Sequence, residues 1–66
     1  MIKFNKLFQY ISEKRITPAE LGRMAGVTSS TISRLRSNQN VSMVFIGKIC
    51  MALQCKIEDI VEYVPD

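Results

Sequence analysis

Apolar residues recur at helical spacing along the chain, and their pattern predicts five short helices. In the first stretch, over residues 4–15, apolar side chains fall at positions i, i+3, i+4 and i+7, which are Phe4, Leu7, Phe8 and Ile11. The same spacing marks a fourth helix at Ile46, Ile49, Cys50 and Leu53, and a fifth, shorter one at Ile57, Ile60 and Val61. Residues 1–4 and 62–66 alternate between apolar and polar, so either end is alternatively extended.

Helix start and stop signals delimit the second, third and fourth helices. Thr17 is an expected N-cap, Pro18 suits the first helical position, and Glu20 completes a capping box. Gly26 follows as a left-handed terminator of this second helix. The start pattern returns with Thr28 and Ser42 as N-caps, and residues 37–40 form the turn between the third and fourth helices.

The second and third helices, joined by a short turn that contains Gly26, predict a helix-turn-helix unit. Such a unit lays its second helix in the major groove of DNA. The outer face of the third helix carries hydroxyls and two arginines, namely Ser29, Ser30, Ser33, Arg34 and Arg36. Serine and threonine are poor helix formers, so their number favours contacts with DNA phosphates and base edges. The alternative is that they are ordinary caps, as Thr28 is expected to be, and that the arginines are solvated.

The helical stripes predict a single apolar core. Its expected members are Leu7, Ile11, Leu21, Met24, Val27, Ile32, Leu35, Ile46, Ile49, Leu53 and Ile60. Cys50 and Cys55 are interpreted as free thiols that pack with this core, because a zinc site needs four nitrogen or sulfur ligands and the chain has no histidine. No metal or cofactor is therefore expected.

Chain length limits the number of domains, and the distribution of charge indicates the kind of partner. The chain has 66 residues, which favours one domain over residues 1–66. Residues 1–48 hold eight Lys and Arg against two Glu, a net charge of +6, whereas the rest holds one Lys against four acids, a net charge of −3. The basic charge of residues 1–48 suits an anionic partner such as double-stranded DNA. The side chains expected to contact it are Arg34, Arg36 and Lys48, and further candidates are Lys14, Arg15 or Arg23. No base-activated nucleophile or carboxylate pair is evident, so we do not expect an enzyme, and without a membrane span or signal segment we expect a cytoplasmic protein.

Three stretches of the sequence stand out together, namely TPAEL from Thr17, GVTSSTISRL from Gly26, and ICMALQCKIEDI from Ile49. They resemble the Cro/C1-type (XRE-like) helix-turn-helix family of phage and bacterial regulators. The last is similar to a compact subgroup whose fourth helix reads close to IC-x-AL-x-C. The resemblance implies an all-α, five-helix lambda-repressor-like DNA-binding domain, with the helix-turn-helix formed by helices 2 and 3.

The resemblance also implies site residues. Thr28, Ser29, Ser30 and Arg34 would face bases or nearby phosphates. Positions along the DNA backbone would be Thr17, Pro18, Ser37, Asn38, Val44 and Phe45. Pro18 stands where many relatives have glutamine, and the recognition helix has serines where well-studied relatives have glutamine or arginine. Binding of a dimer to two half-sites would compensate for weak readout by one copy.

We therefore predict a sequence-specific transcriptional regulator, most simply a repressor, that needs no small-molecule ligand and does not bind membranes. The apolar residues Ile2, Phe4, Tyr63 and Val64 either pair the two ends of the chain or contact a second subunit, and we expect a homodimer through the termini and the fifth helix. The alternative is a protein-binding module, or an antitoxin-like DNA-binding partner of another protein.

Overall fold

The computed structural model describes residues 1–65 and is mostly helical. Its four α-helices are α1 (Asn5–Glu13), α2 (Pro18–Ala25), α3 (Ser29–Arg36) and α4 (Met43–Leu53), followed by a 3-10 helix at Ile57–Asp59. Two short strands, β1 (Ile2–Lys3) and β2 (Glu62–Tyr63), pair antiparallel and join the two ends of the chain. Asp66, counted above with the acidic end, lies outside the described residues.

The predicted helix signals at α2, α3 and α4 are confirmed. Thr17 Oγ1 accepts a hydrogen bond from the Glu20 backbone N–H, and Glu20 Oε1 accepts one from the Thr17 N–H, both at 3.1 Å. Gly26 ends α2 in the left-handed region, with φ of 69°. The side chains of Thr28 and Ser42 accept backbone hydrogen bonds at the starts of α3 and α4.

The predicted count of five helices is wrong, because the fifth stretch forms only a 3-10 helix of three residues. Asp59 Oδ2 accepts the Lys56 N–H at its start, and the chain becomes extended by Glu62 to pair with Lys3. That pairing is incompatible with a longer helix. The extended conformation expected at the two ends is confirmed at Ile2–Lys3 and at Glu62–Tyr63.

The first helix is shorter than the expected residues 4–15. At its start, the Phe4 N–H is bound by the side chain of Asn38 rather than by a helix cap. At its end, Arg15 adopts a left-handed conformation with φ of 59° and turns the chain toward α2. The start of α1 thus depends on a contact with a residue distant in sequence, and its end depends on the turn toward α2.

The core lies where α2 packs against α4, α3 and α1. Ten of the eleven predicted core residues are buried, but Met24 is 49% exposed. Phe4 and Ala25 are buried in addition. The buried stripe of α2 runs through Leu21 and Ala25, four residues apart, and this leaves Met24 on the solvent side.

Candidate nucleic-acid interface

A tight turn holds α3 against α2. The Val27 N–H donates to the Gly22 carbonyl at 3.0 Å, and the Val27 side chain is buried. A Cβ on Gly22 would lie 3.2 Å from the Val27 carbonyl oxygen, so glycine permits this close approach. The left-handed Gly26 completes the change of direction. These contacts fix the orientation of α3 on the domain.

The surface of α3 divides by helical periodicity. Ile32 and Leu35 are buried and attach the helix to the core. Ser30 and Arg34, four residues apart, form an exposed outer stripe. Ser29, Ser33 and Arg36 form a second exposed stripe, which turns toward α2. The helix contains no acidic residue, so its solvent face carries only hydroxyls and two positive charges.

A shallow groove of about 460 Å³ runs between α2 and α3. Its polar and charged lining comes from Arg23 on α2 and from Ser29, Ser33 and Arg36 on α3, while Pro18 stands at the start of α2. A neighbouring groove of about 450 Å³ is lined by Arg15, Thr17, Pro18 and Arg36 among others. The structure therefore brings together Thr17, Pro18, Ser29, Ser33 and Arg36, which are separated in sequence.

Arg36 links the two grooves and rests on an aromatic ring. Its guanidinium carbon lies 5.0 Å from the centroid of the Phe8 ring, in cation–π geometry. The contact holds the exposed guanidinium over α1 while its N–H groups stay available to an anion. Phe8 precedes Arg36 by 28 positions, and no local pattern in the sequence indicated this role.

Two predicted contact residues serve first as helix caps. Thr28 Oγ1 lies 3.2 Å from both the Thr31 N–H nitrogen and Thr31 Oγ1, and Thr17 Oγ1 is bound to the Glu20 N–H. The backbone N–H of Thr17 in turn donates to the Glu20 carboxylate, and this bond, with a smaller contribution from the Thr17 side chain, lowers the pKa of the Glu20 carboxyl below its ordinary value. The hydroxyls therefore organise the starts of α2 and α3.

The start of α4 presents a third exposed segment. Val44 is 67% exposed and Lys48 is exposed, whereas Phe45 is partly buried. The Lys48 ammonium lies 5.5 Å from the centroid of the Phe45 ring. The backbone N–H groups of Val44 and Phe45 both donate to Ser42. Any contact that these residues make with a partner is therefore through their side chains.

Ser37 and Asn38 differ in their surroundings. Ser37 is exposed at the end of α3, beyond Arg34. Asn38 is partly buried and left-handed, with φ of 57°, and its Oδ1 accepts the Phe4 N–H at 2.7 Å. It lines a groove near the chain termini rather than the grooves beside α2. The side-chain oxygen of Asn38 thus ties the start of α1 to the loop before α4.

Residues 1–65 also bear on metal binding and on membrane insertion. Among these residues, no group of three or more His, Cys, Asp or Glu side chains is placed to hold a metal ion. None of the helices described has the length and hydrophobicity that crossing a membrane requires.

Comparisons with known proteins point to one family. A family model described as the Cro/C1-type HTH DNA-binding domain matches residues 6–66. Among solved structures, the crystal structure of the transcriptional regulator VanUg (form II) is similar, with a TM-score of 0.91 and 34% sequence identity. The match covers 98% of this chain and 87% of that one. No curated protein is significantly similar in sequence.

Proposed function

The chain belongs to the Cro/C1-type helix-turn-helix DNA-binding family, and from that premise we propose that it is a repressor that binds operator DNA sequence-specifically. The observation that carries the proposal is the solvent face of α3, which combines hydroxyls with Arg34 and Arg36 and carries no acid. In this proposal α2 and α3 are the helix-turn-helix, and α3 enters the major groove. The protein acts on DNA in the cytoplasm and blocks a promoter by occupying it.

Base reading is assigned to the exposed residues at the start and centre of α3. Arg34 has the reach to donate two hydrogen bonds to a guanine edge, and the shorter hydroxyls discriminate bases less. The proposed set is Thr28, Ser29, Ser30, Ser33 and Arg34. Thr28 is the weakest member, because its hydroxyl already caps α3.

Phosphate contacts are assigned to residues around this helix. Arg36 is supported by its position between the two grooves, and Lys48 by its exposed ammonium on α4. The proposed set is Thr17, Pro18, Arg36, Ser37, Asn38, Val44, Phe45 and Lys48. Asn38 would act through its amide NH₂ group, because its oxygen binds Phe4. Pro18 has no N–H to donate, so its contact would be one of packing only.

We also propose that two copies bind two half-sites. An apolar groove of about 500 Å³ lies beside the loop that follows α3, and its lining includes Met1, Ile2, Val41, Met43, Ile57 and Val61. Met43 is 66% exposed and Ile57 is 45% exposed, which is unusual for large apolar side chains clustered in one groove. Because β1 and β2 pair within one chain, the dimer contact is assigned to this groove rather than to exchanged termini.

The same groove favours the second candidate, in which a different protein binds there and the domain serves as the DNA-binding half of a pair. The two candidates predict different oligomeric states. Analytical ultracentrifugation at high micromolar concentration, with and without DNA, should show a dimer of this chain. A monomer under both conditions contradicts the homodimer and favours the heterologous partner.

Fluorescence anisotropy tests the DNA proposal directly. The protein should prefer a fragment from upstream of its own gene over unrelated duplex by about 10³-fold or more, and affinity should fall steeply as salt rises. Arg34→Ala should lower specific affinity by about 10- to 100-fold, since a bidentate base contact is worth about 1–3 kcal/mol. Lys56→Ala removes one positive charge from the acidic end and should change affinity little. Absence of binding at low salt refutes the proposal.

A further inference from the structure

The C-terminus of α4 brings the two cysteines of the chain together. Gln54 follows the helix in the left-handed region, with φ of 52°. The Cys55 N–H donates to the Cys50 carbonyl at 3.1 Å, and the Gln54 N–H donates to the Met51 carbonyl at 3.3 Å. This pair of bonds is the Schellman motif. In that motif, the side chains at the positions of Cys50 and Cys55 frequently contact each other, and here the two thiols are hydrogen-bonded.

Both thiols are free and partly buried, and both pack against the core cluster. Helix periodicity alone would not place them together, because they are five residues apart. Their proximity comes from the backbone reversal at Gln54. The loop between them is already closed by a hydrogen bond in the folded chain, so little further chain entropy is lost when their sulfur atoms are joined.

We propose that Cys50 and Cys55 form an oxidisable dithiol site, which reacts with low-molecular-weight disulfides to close an intramolecular disulfide. The site is separate from the proposed DNA contacts at the start of α4, Val44 and Phe45, since it lies at the other end of that helix. The inference therefore goes beyond the proposed function and does not depend on it.

The reaction consists of two thiol–disulfide exchanges. The Cys50 thiolate attacks one sulfur of the small disulfide, its S–S bond breaks, and one small thiolate leaves. The Cys55 sulfur then loses its proton and attacks the Cys50 sulfur of the mixed disulfide, which releases the second small thiolate. Both leaving thiolates take up the protons given up by the cysteines. Two protein thiols are oxidised and one small disulfide is reduced to two thiols.

The surroundings of Cys55 disfavour its thiolate form. Burial, together with the neighbouring Cys50 thiol and Asp59, raises the pKa of the Cys55 thiol to about 11. Cys55 therefore remains protonated near neutral pH, where a thiol is a poor nucleophile. This assigns the first attack to Cys50 and the resolving step to Cys55.

Equilibration with glutathione tests the site without any substitution. Mass spectrometry of the folded protein in an oxidising glutathione buffer should show a monomer lighter by about 2 Da with no reactive thiol, as the chemistry of one disulfide requires. The effective concentration of the pair should be at least about tenfold higher in the folded chain than in guanidinium, because the fold holds the sulfurs together. Two glutathione adducts per chain, disulfide-linked dimers, or equal effective concentrations in the two states would each overturn the proposal.

Variants test whether disulfide formation depends on where the two thiols lie or only on the presence of two thiols. Cys50→Ser and Cys55→Ser should each give one glutathione adduct and no closed ring. The matched control is Cys50→Ser combined with Met51→Cys, which keeps two thiols but moves one to a position that is 80% exposed. This control should fail to close in the folded state. If it closes as readily as the natural chain, the geometry at Gln54 is not responsible.

Discussion

The α2–turn–α3 segment and the joined ends of the chain are organised by different kinds of interaction. In residues 17–37, nearly every bond that shapes the backbone joins positions three to five apart, such as Thr17 with Glu20 and Gly22 with Val27. At the chain ends the shaping contacts join distant positions, such as Ile2 with Tyr63 and Phe4 with Asn38. The boundaries of α2 and α3 are therefore set by neighbouring residues, whereas the structure at the chain ends depends on tertiary contacts.

The two regions also expose different surfaces. The outward side of α3 is polar and basic, which suits a phosphate-bearing partner. The groove beside the termini exposes Met43 and Ile57, which suits burial against another protein surface. One small domain thus separates its proposed DNA contact from its proposed protein contact.

The largest effect should come from removing the core anchor of the terminal region. Ile60 is fully buried, and Ile60→Ala should lower the free energy of unfolding by about 2–5 kcal/mol, enough to unfold much of so small a domain. Ile57→Ala is the matched control, because Ile57 lies in the same turn but is 45% exposed. Urea denaturation should show at most a small change for the control. Equal losses would mean that the 3-10 helix is not attached through Ile60.

The next effect tests the hydrogen bond between the Phe4 N–H and the Asn38 side chain, which joins the start of α1 to the loop before α4. Asn38→Ala removes the acceptor for the Phe4 N–H. It also puts alanine, which has no polar side chain to stabilise a left-handed backbone, at a φ of 57°, so we expect the free energy of unfolding to fall by about 2 kcal/mol. Asn38→Gly loses only the hydrogen bond, because glycine adopts this φ without strain, and its free energy of unfolding should fall by about 1 kcal/mol. Asn40→Ala, in the same loop, should be nearly neutral. If Asn38→Ala and Asn40→Ala have the same denaturation midpoint, the contact contributes nothing to stability.

These differences explain which features the sequence could predict. Caps at Thr17, Thr28 and Ser42 and the terminator Gly26 were found because each acts over one turn of backbone. The predicted fifth helix is wrong because the pairing of β2 with β1, which lie 61 positions apart in the Ile2–Tyr63 pair, overrides a short helical pattern. The prediction that Met24 is a core residue is wrong, because periodicity groups residues on one face of a helix but does not say which face α4 covers.

The candidate site divides in the same way. The exposed stripe of Ser30 and Arg34 follows from periodicity and was expected. The support of Arg36 by Phe8 and the bond between Asn38 and Phe4 are tertiary contacts, and neither has a local signal. The sequence therefore indicated which residues face outward but not which of them are held in place.

A smaller effect compares two glycines with opposite roles. Gly26 has φ of 69°, so Gly26→Ala should lower the free energy of unfolding by about 1 kcal/mol. Gly47 lies inside α4, and apart from its chain neighbours and the helix backbone nothing lies within 4 Å of the place that a Cβ would take, so Gly47→Ala should raise the free energy of unfolding by about 0.5–1 kcal/mol. Thermal melts of the two variants should shift in opposite directions. A fall for Gly47→Ala would show that this face of α4 is already covered, as in a dimer.

The smallest effect concerns the capping box, the most local device in the molecule, and it appears only as a function of pH. Hydrogen bonds from the backbone and side chain of Thr17 lower the pKa of Glu20 below its ordinary value of 4.5. A carboxyl whose pKa is lower in the folded state stabilises the fold above its unfolded pKa, and this stabilisation disappears as the pH falls through the folded pKa. The stability difference between the natural chain and Glu20→Gln should therefore be constant near neutral pH and shrink below pH 4.5.

Urea midpoints measured across this range, with Glu13→Gln as the control for net charge, separate the cap from general electrostatics. Glu13 lies at the end of α1 rather than at a helix start, so its substitution changes the same charge without touching a capping box. If both variants converge with the natural chain in parallel as the pH falls, the effect belongs to overall charge. If only Glu20→Gln converges, the start of α2 is stabilised by a bond between residues three positions apart, in contrast to the ends of the chain.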